Sequence, residues 1–100
     1  MATMYVSEYA DVGRSIGIVP VGAEPSLDQV VTYTATAGSS TAFQSSTQMI
    51  RVHCDGIASI KLGTAPTAVA NTNKRMTAGQ TEYFMVPQGQ SFKVSAVTST

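Results

Sequence analysis

Apolar and polar residues alternate over short stretches along most of this chain, and turn-forming residues interrupt the alternation every 8–12 positions. No segment keeps apolar residues at helical spacing for more than about two turns, so the pattern predicts strands and no long helix. Residues 3–9 (TMYVSEY) read as a first strand, with Met4 and Val6 on one face and Tyr5, Ser7 and Tyr9 on the other. Residues 29–35 (QVVTYTA) form a second candidate, and 48–54 (QMIRVHC) the clearest interior strand. There Ile50, Val52 and Cys54 face one way, and Met49, Arg51 and His53 the other. Asp55-Gly56 follows as a type I′ hairpin signal, with 57–62 (IASIKL) as the return strand. Residues 63–75 are small and polar and read as a long loop or a short edge strand. The stretch 77–94 spells a further hairpin around Pro87-Gln88-Gly89-Gln90. Glu82, Phe84 and Val86 share a face there, while Tyr83 and Met85 point oppositely. A strand apolar on both faces suits a central place in a sheet, or cover from a neighbouring subunit.

These pieces predict an all-β, antiparallel sandwich or jelly-roll-like barrel. One hundred residues allow one domain with one modest core. Within it, residues 1–26 read as an extended arm or first strand, and 27–100 as the sandwich. Gly13, Gly17, Pro20, Gly22 and Pro25 crowd the first part too closely for a long regular element. A weak echo links Thr36-Ala37-Gly38, Phe43 and Ile50-Arg51-Val52 with Thr77-Ala78-Gly79, Phe84 and Phe92-Lys93-Val94. Two similar hairpin units facing across one core would produce it; so would chance.

Composition narrows the partners. Charged residues are 12% of the chain, and six basic side chains balance six acidic ones. Nucleic-acid binding needs a basic patch, and only Lys74-Arg75 are adjacent, so no nucleic-acid partner is expected. A neutral surface favours life in an assembly over life as a free monomer. No apolar run approaches the roughly 20 residues of a membrane helix, and the N-terminal residues lack a signal-peptide pattern. Synthesis in the cytoplasm, with no membrane partner, is the corresponding expectation. The single cysteine, Cys54, permits no intrachain disulfide.

Candidate chemistry is sparse, and neither an enzyme nor a cofactor is expected. In His53-Cys54-Asp55, neighbouring strand residues point to opposite faces, so His53 cannot readily activate Cys54. One His and one Cys are also a poor start for a zinc site. Cys54 reads better as a small buried residue, and Asp55 as the start of a turn. No phosphate-loop glycine spacing occurs. Tyr5, Tyr9 and Tyr33 could anchor an interface or stack on sugar, or fill sandwich edges with their hydroxyls in water.

The order of elements resembles that of small virion proteins of tailed bacteriophages. The resemblance lies in MATMYVSEYADVGR (1–14), MIRVHCDGIASIKLGTAPTA (49–68) and MTAGQTEYFMVPQGQSFKVSAV (76–97). It carries no catalytic signature. It implies a structural role in many copies in a virion and does not decide between capsid, head–tail junction and tail; the role expected first is a capsid decoration (cement) protein, with the major capsid protein or other virion proteins as partners. A homo-oligomer such as a trimer about a lattice axis would fit. Tyr5, Tyr9 and Arg14 are then the candidate contact residues. Head–tail junction or tail structural proteins, or a small carbohydrate-binding module, are the alternatives; the lack of Trp weighs against the last.

Overall fold

The computed structural model describes residues 2–10 and 27–99, and these build two antiparallel sheets of four strands each. The strands are β1 (Ala2–Tyr9), β2 (Leu27–Tyr33), β3 (Gly38–Ser39), β4 (Met49–Cys54), β5 (Ala58–Gly63), β6 (Lys74–Met76), β7 (Thr81–Met85) and β8 (Lys93–Thr98). The first sheet runs β2-β1-β4-β7 and the second β3-β8-β5-β6. The sandwich half of the expected fold holds; the sheets do not join into a closed barrel.

Alternation places the core. Met4, Val6, Val31, Tyr33, Ile50, Val52 and Cys54 project inward from the first sheet. Ala58, Ile60, Met76, Val94 and Ala96 project inward from the second. Phe43 and Val86, outside the strands, fill the ends. Burying each large side chain contributes about 1.5–3 kcal/mol relative to exposure. Residues 2–9 are thus a central strand, paired with β2 on one side and β4 on the other. The expected arm beyond Ala10, residues 11–26, lies outside the described residues.

Both expected hairpins turn out to be crossings between sheets. β4 uses one edge for β1 and the other for β7, so β5 cannot pair with it and joins β6 and β8 in the opposite layer. Neither Asp55 nor Gly56 has the positive φ of a type I′ turn. Gly56 is needed for proximity instead: a Cβ there would stand 2.8 Å from the Ala2 Cβ. Likewise β7 pairs with β4 and β8 with β5, so the Pro87-Gln88-Gly89-Gln90 corner carries the chain across the sandwich. β7 lies at the edge of its sheet, which overturns the central-strand alternative for it. The echoed segments are not equivalent either: Gly38 lies in β3, whereas Gly79 sits in the turn before β7 with φ +79°.

The two open sides are closed by side chains. Between β6 and β7, Lys74 Nζ lies 3.2 Å from Glu82 Oε1 and 6.0 Å from the Phe84 ring centre. Beside β2, Gln29 Oε1 accepts hydrogen bonds from the Thr41 amide and hydroxyl, both at 2.9 Å.

Candidate functional site

The outward faces of the two sheets differ. The second sheet is covered by its own chain. Ser95 Oγ accepts from the Ala68 amide at 3.0 Å, and Ser59 Oγ accepts from the Asn71 amide at 3.2 Å. The Ser99 hydroxyl donates to Asn71 Oδ1 at 2.7 Å. The segment 64–73 thereby lies over this sheet and buries Ser59, Ser95 and Val97, three residues that alternation aims away from the core. Its polarity reflects this work: its backbone and Asn71 satisfy hydroxyls that would otherwise be buried without partners.

Side chains of the first sheet's outward face stand in three cross-strand rows. Val30, Tyr5, His53 and Thr81 form one row, and Asp28, Ser7, Arg51 and Tyr83 the next. Tyr9, Met49 and Met85 form the third. Tyr5 (45% exposed), Val30 (64%), Tyr83 (46%) and Met85 (69%) leave this face rich in accessible apolar surface. Single exposed apolar residues are ordinary, but a grouped set is not.

A groove of about 470 Å³ lies in this face, lined chiefly by Tyr5, Ser7, Asp28, Val30, Arg51 and His53. Ser7 is the shortest side chain in its row, and the depression forms over it between Asp28 on β2 and Arg51 on β4. The Ser7 hydroxyl donates to Asp28 Oδ1 at 2.7 Å. Arg51 makes no hydrogen bond or ion pair among the described residues. His53 Nδ1 is 2.7 Å from Thr81 Oγ1, which fixes the ring, and the Tyr5 ring is tilted 45° to it at 6.1 Å.

Of the three anticipated contact residues, Tyr5 and Tyr9 share this outward face, Tyr5 in the groove and Tyr9 half-buried in the apolar row. Arg14 lies outside the described residues. Tyr33 does not leave its hydroxyl in water: it is a core residue that donates to the Gly56 carbonyl at 2.7 Å. Burial, then the adjacent Cys54, pushes the Tyr33 phenol above its ordinary value. Burial likewise raises the Cys54 thiol. His53 and Cys54 point to opposite faces, and Asp55 Oδ1 accepts from the Thr3 amide at 2.7 Å, capping the crossing. Among the described residues, no group of three or more His, Cys, Asp or Glu is placed to hold a metal.

The groove itself was out of reach of strand-by-strand reading. Asp28 and Arg51 become neighbours only because β1 inserts between β2 and β4, and no local signal announces that order. Comparison with protein-family models, curated proteins and solved structures finds no match for this chain.

Proposed function

We propose that this chain is a structural protein of a bacteriophage virion, a capsid decoration (cement) protein that docks on the coat-protein lattice through the first sheet. The observation that carries the reading is the asymmetry of the two faces. One sheet is covered by its own 64–73 segment, while the other presents Tyr83 and Met85 at its edge beside Tyr9. Such an apolar corner on a neutral surface suits burial against a protein partner.

Two further features support it. The sequence resembles small phage virion proteins, and the chain changes sheet at every connection except β1–β2 and β5–β6. That alternation suits a jelly-roll-like fold in which β1 occupies the place of a jelly roll's last strand. The action is mass action: a protein that binds only the assembled lattice stabilises it, and each contact of ordinary size buries about 1,200–2,000 Å². A cyclic homo-oligomer about a lattice axis fits this role.

Purified chain mixed with assembled shells of the parent phage should co-sediment with them. Met85→Glu, which puts a charge into the apolar corner, should remain in the supernatant while melting as the parent protein does. Binding to isolated tails or connectors, and not to shells, would instead assign the chain to the tail or the head–tail junction.

A further inference from the structure

We infer that the groove over Ser7 is a binding site for a neutral pyranose, separate from the apolar corner proposed to dock on the lattice. Four features define it. The volume of about 470 Å³ falls within the range of small-ligand sites. One wall is carboxylate: Asp28 uses Oδ1 to accept from Ser7 and keeps its other oxygen available. The opposite wall is the Arg51 guanidinium, which has no partner among the described residues. The end is aromatic, where Tyr5 stands 45% exposed against the His53 ring.

The opposed charges decide the ligand class. A simple anion would meet Asp28, and a simple cation would meet Arg51. β2 and β4 flank β1, so their backbones are roughly 10 Å apart, and a six-membered sugar ring with its hydroxyls can reach both walls. Each hydroxyl both donates and accepts, so the same ring can give a proton to Asp28 and receive one from Arg51. Its C–H face can lie on Tyr5, where the phenol ring offers apolar area and a negatively polarised face. Tyr5 is held by its neighbours rather than free to swing: its strand is central, and Val30 and His53 stand on either side.

The test is an amide-resolved NMR titration of the full chain, free of shells, with glucose, galactose, mannose and N-acetylglucosamine, each added alone. Glycylglycine, a zwitterion that could satisfy both charges without hydroxyls, is the comparison probe. At least one sugar should shift the amides of residues 5–8, 28–30 and 51–53, with a dissociation constant on the order of 1 mM. Tyr5→Ala should weaken binding about three- to tenfold and Tyr5→Phe should leave it intact. Asp28→Asn, which loses a charge-assisted hydrogen bond, should weaken it about tenfold. Unchanged amides elsewhere in each variant establish that the sandwich is intact. The inference is overturned if no sugar moves the groove amides, if glycylglycine alone moves them, or if Tyr5→Ala and Asp28→Asn bind the sugar as tightly as the parent protein does. Lattice docking is measured separately, so failure here and failure of the decoration reading are distinguishable.

Discussion

Glu8 Oε1 accepts a hydrogen bond from the Thr47 hydroxyl at 2.7 Å, joining β1 to a loop 39 residues further along the chain. The same oxygen accepts from the Gln44 amide at 2.9 Å, and Oε2 accepts from Gln29 Nε2 at 2.8 Å. Glu8 is fully buried on the core face of β1, so its carboxylate is tolerated through these donors. Glu8→Ala leaves them without an acceptor and should cost about 3 kcal/mol. Glu8→Gln, which keeps one acceptor oxygen, should cost less. Urea denaturation of both variants measures the difference. Equal stability of Glu8→Ala and the parent protein would remove Glu8 as the clasp of the 41–48 loop.

Tyr33 and Cys54 set the alkaline limit. Both groups are neutral when protonated, and burial raises both above their ordinary values of 10.0 and 9.0. The unfolded chain therefore releases these protons at lower pH than the folded one. Their contribution to stability is complete below pH 9 and is lost as pH rises past the unfolded values toward the raised folded ones. Melting temperature should fall steeply above pH 9–10. Tyr33→Phe in a Cys54→Ala background should start lower, having lost the bond to Gly56, but decline less over that window.

β1 is a central strand and not a detachable arm. Removing residues 1–9 takes Met4, Val6 and Glu8 from the interior and exposes facing edges of β2 and β4. The truncated chain should lose its cooperative thermal transition by circular dichroism. Even Met4→Ala alone should cost about 2–5 kcal/mol.

Gly38 marks where β3 meets β2. A Cβ at that position would lie 2.3 Å from the Thr32 carbonyl oxygen, closer than any real contact, and the obstacle is backbone. Gly38→Ala should destabilise by about 1–3 kcal/mol by forcing β3 away from β2. Gly63→Ala, where nothing stands within 4 Å, is the control and should change stability far less.

Alternation was enough to group the inward apolar residues of the clearest strands. Ile50, Val52 and Cys54, read as one face of a strand, are all fully buried, and Lys61 is outside as expected. What alternation does not encode is the partner of each strand. Asp55-Gly56 and Pro87–Gln90 have turn chemistry that serves a hairpin and a crossing between layers equally well. The choice is made by distant competition: β1 and β7 occupy both edges of β4 and leave none for β5. For the same reason Tyr5 and Tyr9 could be recognised as outward-facing from sequence, while the groove around Tyr5 could not. Tyr33 departs from the expected wet edge position because its hydroxyl is satisfied by a backbone carbonyl 23 residues away, a partner that no local pattern announces.

The stoichiometry of binding to shells stripped of this chain tests the decoration role most directly. Added back in excess, the parent protein should saturate at a fixed number of copies per shell set by lattice symmetry, and Met85→Glu should not bind. Parent protein that stays in solution, or Met85→Glu that fills the lattice equally, would contradict a decoration role exercised through the first sheet.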